Sequence, residues 1–342
     1  MRVRVALLAI AVAAVALLGT GASAATVNFN PTAGLGLGSG YYDSIPNPLP
    51  LNLLSYGAQS AHMNEIGNEI TLGPGPLLGV SALVPANEVA VTLASNACES
   101  GSGPSCASQR GATFQEPITL NIYNPPAPGG YTPGSLITSV TKTFSIPYRP
   151  SASPQCNGVE QNIYGQEFSA TGWWYDGVQG CSPAILDNVT FPLGTVRLPK
   201  TLVYGISYNT TSYGPNPYGP GTACFSTPQG CPYDALNIAQ SIDPANLTMG
   251  TDPNPGTIWW NDQNPNFYCD NGADGSNIFR EDSPEPGDNC YSLASTLGTQ
   301  AEGPWTPPWV VPAVAFYPAL LSPFFVGLPS GFGGLPFGPG LP

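Results

Sequence analysis

Few side chains in this sequence could carry chemistry. His62 is the only histidine, so a Ser-His-Asp or Cys-His mechanism would have to run through it. It sits beside Met63 and Glu65, and no Gly-x-Ser-x-Gly elbow occurs in the chain, which fits a structural histidine better than a catalytic one. Carboxylates are the other route: a glycosidase needs one carboxyl as acid and another as base or nucleophile. Glu65 and Glu69 are close in sequence, as are Glu160 and Glu167. With 21 acidic residues some close pairs arise by chance, and the plainer reading is solvated strand and loop carboxylates.

The segment Asp270-Asn-Gly-Ala-Asp274-Gly275, followed by Glu281, matches the first, fifth, sixth and twelfth positions of an EF-hand calcium loop. Gly272 and Ile278 break the third and ninth positions, and neither flank reads as a helix. Asp270, Asp274 and Glu281 are therefore the candidate ligands for calcium, set against a simple turn-forming Asp/Asn/Gly loop. No other cofactor is expected.

Trp173-Trp174-Tyr175 and Trp259-Trp260 offer a third chemistry. Consecutive strand residues face opposite sides, so each Trp pair is expected to send one ring into the core and one outward. An outward indole is a flat, rigid platform for the apolar face of a sugar. Trp173, Trp174, Trp259 and Trp260 are the candidate glycan contacts; core or loop-covering rings are the plainer alternative.

Eight cysteines fall into four close pairs, Cys98/Cys106, Cys156/Cys181, Cys224/Cys231 and Cys269/Cys290. Without a Cys-x-x-Cys and with one histidine, zinc is not indicated. Behind an export signal they read as disulfides, although spacing alone cannot fix their connectivity.

The elements that must position these residues are strands. Val89, Val91 and Leu93 alternate in Glu88–Ser95, as do Ile118, Leu120 and Ile122 in Pro117–Tyr123. Ile137–Ile146, Leu202–Tyr208 and Ile258–Trp260 read as further strands. Ala235–Ser241 fits a short helix or a strand. Helical periodicity is otherwise missing, and the turns are rich in Gly and Pro (41 and 40 residues). The expected fold is all-β, a β-sandwich or jelly-roll-like domain with long disulfide-stapled loops.

Residues 1–24 have the parts of a secretory signal: Arg2 and Arg4, an apolar run from Val5 to Leu18, and Ala22-Ser23-Ala24 as cleavage site. The folded domain is expected over 25–317. Residues 318–342 read as a flexible apolar Pro/Gly-rich tail. The stretch Trp309–Leu328 is long enough to span a bilayer, but Pro312, Pro318 and Pro323 interrupt it, so no transmembrane span is expected. A formal net charge of −13 argues against nucleic acid and anionic lipid as partners.

Several phrases, among them Tyr42-Asp-Ser-Ile-Pro-Asn-Pro-Leu-Pro, Glu65-Ile-Gly-Asn-Glu-Ile-Thr-Leu, Ile118-Thr-Leu-Asn-Ile-Tyr, Ile146-Pro-Tyr-Arg-Pro and Asp234-Ala-Leu-Asn-Ile, resemble a group of exported actinobacterial proteins whose function is not assigned. The resemblance spans roughly Asn28 to Tyr317. It implies export and a single β-sandwich domain, and it carries over no catalytic residue.

The residues favour a secreted, extracellular or cell-envelope-associated protein that binds a cell-surface glycan or another envelope component rather than turning it over. The alternatives are a secreted polysaccharide hydrolase working through two carboxylates, and a structural envelope protein.

Overall fold

A computed structural model describes residues 41–51, 53, 55–56, 63–73, 83–101, 103–161, 167–178, 180–194, 196–208, 236–243, 247–263, 265, 268–282 and 309–318. His62, Cys224, Cys231, Cys290, the signal segment and nearly all of the tail lie outside them.

The described residues form strands and one three-residue 3-10 turn, Gly103–Ser105. The first sheet contains β3 (Met63–Thr71), β5 (Thr113–Tyr123), β6 (Leu136–Pro147), β13 (Thr201–Tyr208), β15 (Ile258–Asp262) and β16 (Arg280–Asp282). Its spatial order is β16-β15-β3-β13-β5-β6. The second contains β1 (Tyr42–Asp43), β2 (Ser55–Tyr56), β4 (Leu83–Ser95), β11 (Ile185–Pro192), β12 (Arg197–Pro199), β14 (Leu236–Asp243), β17 (Trp309–Pro312) and β18 (Val314–Pro318). Here the long β4 is central: β11 and β12 pair with it, and β14 and β18 pair with successive parts of it. Two small hairpins, β7 (Val159–Gln161) with β8 (Glu167–Ser169) and β9 (Trp174–Tyr175) with β10 (Cys181–Ser182), complete the set. Every pairing is antiparallel.

Period-2 alternation explains the layering. In β5, Phe114, Ile118, Leu120 and Ile122 are buried while Thr113, Gln115 and Pro117 are exposed. The inward residues of both sheets join one core cluster. Phe144 of β6 meets Phe191 of β11 edge-on at 5.0 Å, and Tyr204 of β13 meets Phe316 of β18 at 5.8 Å. The molecule is thus all-β and sandwich-like, as the alternation implies. The ambiguous Ala235–Ser241 segment is strand from Leu236 on, because Leu236 and Ile238 both enter the core beside β4. Two strands that the sequence reading left out, β3 and β11, are the partners that join the expected ones into sheets.

Two of the expected disulfides are present, Cys98–Cys106 and Cys156–Cys181. Cys269 is disulfide-bonded as well, with its partner outside the described residues. The two closed loops are pinned by one buried cation: Arg149 donates from Nη1 to the Gly172 carbonyl (2.9 Å) and from Nη2 to that of Gly103 (3.2 Å). Burial lowers its pKa to about 10.

Candidate functional site

The outer face of the first sheet, turned away from the core, carries the molecule's densest polar chemistry. In β3, Ile66 and Ile70 point into the core, so Glu65, Gly67 and Glu69 must point the other way. The register then builds one rung across all six strands: Glu281, Trp259, Gly67, Gly205, Asn121 and Ser139. The two central positions are glycines by necessity. A Cβ on Gly67 would strike the Tyr204 carbonyl, and one on Gly205 would strike the Glu65 carboxylate. Their missing side chains leave a gap in which the carboxylates lie.

Glu65 leans across Gly205, and its Oε1 accepts from Asn121 Nδ2 (2.9 Å) and from the Tyr123 hydroxyl (3.0 Å). Burial pushes the Glu65 pKa up, against those two bonds. Burial and the adjacent Glu65 also raise Tyr123 well above the usual phenol range.

Glu69 and Glu281 meet on the other side of the gap. Asn254 Nδ2 donates to Glu69 Oε2 at 3.0 Å and to Glu281 Oε1 at 3.2 Å. Burial raises the Glu69 pKa, and the Glu281 charge raises it further. Burial also raises Glu281, opposed by bonds from Thr257 and Asn254. A tight turn fixes the amide between them: the Asn254 N–H donates to Asp252 Oδ1 (2.9 Å), and its carbonyl accepts from Thr257 Oγ1 (2.9 Å). Asp252 is itself held by Asn68 Nδ2 at 2.8 Å, so β3 supplies both a carboxylate and the anchor for the turn that bridges it.

Trp259 stands in the same rung, beside Glu281, and is 0% exposed. Phe279 packs over it at 5.8 Å and reaches Tyr123 at 5.6 Å. The Trp259 Nε1 is buried and has no hydrogen-bond partner among the described residues. Beyond Asn121 the face continues as uncharged hydroxyls, where Ser139 donates to Asn121 Oδ1 (2.7 Å) and Thr119 pairs with Thr141 (2.8 Å).

The tryptophans alternate as expected, Trp260 in the core and Trp259 on the outer face, but neither is an exposed platform. The reason is the Phe279 ring, which the sequence gives no cause to place over Trp259. Trp174 is buried and structural, its Nε1 donating to the Ala184 carbonyl at 2.9 Å. Trp173 is half-buried against the Cys156–Cys181 cluster. The two Trp segments thus belong to different parts of the fold, a disulfide-closed hairpin and a sheet strand.

Asp270 and Glu281 have different partners. Asp270 accepts from Arg280 (2.7 Å) and from the N–H groups of Gly272 and Asp274 (both 2.8 Å). Burial alone would raise its pKa, but those donors outweigh it and hold it low. Arg280 sits over the Tyr268 ring at 4.1 Å: the loop is organised around a guanidinium where a metal loop would hold a cation. Glu281, one residue on, faces Asn254 instead. Among the described residues no group of three or more His, Cys, Asp or Glu side chains is arranged to hold a metal ion. Glu160 and Glu167 lie in the small β7–β8 hairpin, away from this face.

Fold and site together define a class, a two-sheet all-β protein with a carboxylate–amide site on the outer face of one sheet. Comparison with protein-family models, with curated proteins and with solved structures gives no match.

Of the site residues, Glu65 and Glu69 were visible in the sequence as a spaced pair, and the Glu-x-Gly-x-Glu alternation with Ile66 and Ile70 marks their common face. Asn254 and Thr257 had no such signal, and Glu281 was singled out for a different role.

Proposed function

We propose that the protein acts outside the cytoplasm, secreted or attached to the cell envelope, and binds a glycan on the outer face of the first sheet. The observation that carries this reading is the Trp259 N–H, buried and without a partner among the described residues, on a face that also carries three glutamates and two amides. A buried donor without an acceptor costs about 1–3 kcal/mol, and a ligand oxygen would relieve it. Glutamates accept from hydroxyl donors, whereas Trp259 offers a donor, and a sugar hydroxyl can satisfy both kinds. The carboxylates and the negative net charge disfavour acidic glycans, so the ligand class is a neutral polysaccharide. Export rests on the N-terminal signal pattern and on the disulfides.

Titration with neutral oligosaccharides derived from glucan, xylan and mannan, followed by calorimetry and Trp fluorescence, tests this. Binding by at least one, weakened fivefold or more in Trp259→Phe, is the expected result. Absence of binding at millimolar ligand across the panel would overturn it.

A further inference from the structure

We infer that Glu69 and Glu281, spaced by Asn254, form a hydrolytic pair that cleaves the glycosidic bond of a bound neutral glycan. The inference rests on the glycan-binding reading of this face and goes beyond it, since binding alone needs no paired carboxylates.

Three observations meet here. Two bonds to one nitrogen, 3.0 and 3.2 Å, keep the bonded carboxylate oxygens within about 6 Å of each other, which suits the roughly 5–5.5 Å spacing of a retaining glycosidase pair and not the wider spacing of an inverting one. The environments of the two differ: Glu69 is 7% exposed and pressed by its neighbour's charge, while Glu281 is half-buried and held by two donors. Such a division favours a proton on one carboxyl and a charge on the other. The third is independent of the acids: the Trp259 N–H, buried in the same rung, has no acceptor among the described residues, and a substrate oxygen would supply one.

The step balances with water alone. Protonated Glu69 gives its proton to the bridging oxygen while a Glu281 carboxylate oxygen bonds to the anomeric carbon; the bond from that carbon to the bridging oxygen breaks, and its electron pair stays on the oxygen. A water oxygen then bonds to the anomeric carbon as its proton passes to Glu69, and the ester bond to Glu281 breaks with its electron pair returning to the carboxylate. The products are a new reducing end and a free hydroxyl, and both carboxyls end in their starting state. Asn254 is a positioning residue, acting by fixing the separation of the two carboxylates.

The test uses the whole protein with laminarin, xylan and mannan, measuring reducing-end release and binding side by side. Glu69→Gln and Glu281→Gln are each expected to lower release at least a thousandfold, far more than they weaken binding. Asn254→Ala should lower kcat more than it changes KM and should shift the pH profile, a change that a merely structural residue would not produce. Binding without release by the unaltered protein overturns the hydrolytic pair and leaves the binding reading standing. Release that survives Glu69→Gln and Glu281→Gln also overturns it. Neither binding nor release across the panel overturns both.

Discussion

Glu69 and Glu281, from strands separated in space by β15, both accept a hydrogen bond from the same nitrogen of Asn254. Each carboxyl is held above its ordinary pKa by burial, so each binds its proton more tightly in the folded state than in the unfolded chain. Their stabilising contribution is fully present below about pH 4 and is lost as pH rises through the folded values. Asn254→Ala removes the donor that stabilises the charged forms. It should therefore cost little at pH 4 and about 1–3 kcal/mol at pH 8, read from urea unfolding at the two pH values.

Asp282 should control a wider pH response. It is 3% exposed, and burial pushes its carboxyl up to about 7, against the Cys269 N–H and Arg280. A raised carboxyl again stabilises at low pH, so stability should fall between about pH 4 and pH 7. Asp282→Asn keeps an acceptor for Cys269 and loses the charge. It should flatten that fall by an amount on the order of 2–4 kcal/mol, measured as unfolding free energy against pH.

The glycine rung makes a steric prediction. Gly205→Ala places a methyl against the Glu65 carboxylate, so Glu65 must move away from Asn121 and Tyr123. The expected cost is about 1–3 kcal/mol. Spectrophotometric titration should also show the Tyr123 phenol moving back toward its ordinary pKa of about 10 as the adjacent charge withdraws.

The two described disulfides should differ in worth. They close segments of 8 and 25 residues in sequence separation, and loop entropy predicts losses of about 2.5 and about 3.5 kcal/mol on replacing each pair by serine. Thermal unfolding of Cys98→Ser/Cys106→Ser and Cys156→Ser/Cys181→Ser checks the order.

Arg149 should be irreplaceable by lysine. One planar guanidinium serves two carbonyls in two different closed loops, a geometry that a single ammonium on a flexible stem does not reproduce. Arg149→Lys should cost roughly 1–3 kcal/mol by leaving a buried carbonyl without its donor, and proteolysis should cut first near Gly103 or Gly172.

Much of the fold could be read from alternation, because a strand with one face buried repeats its apolar residues every second position whatever its partners. Ile118, Leu120 and Ile122 declared β5 in this way, and the close cysteine pairs offered Cys98–Cys106 and Cys156–Cys181 without fixing them. The β3 strand was harder to see, since Asn68 stands between its core residues Ile66 and Ile70 and its outer face is Glu and Gly.

The sequence by itself determined an all-β chain with alternating strands, cysteines in close pairs and a strongly acidic composition. These follow from local periods and from composition, which do not depend on which strand meets which. Only the tertiary structure decided that Glu69 faces Glu281 across Asn254, that Phe279 covers Trp259, and that Arg280 fills the Asp270 loop. Each of these needs strand register and loop placement, and in an antiparallel sheet those are set by distant partners packing on a shared core, not by the residues alongside.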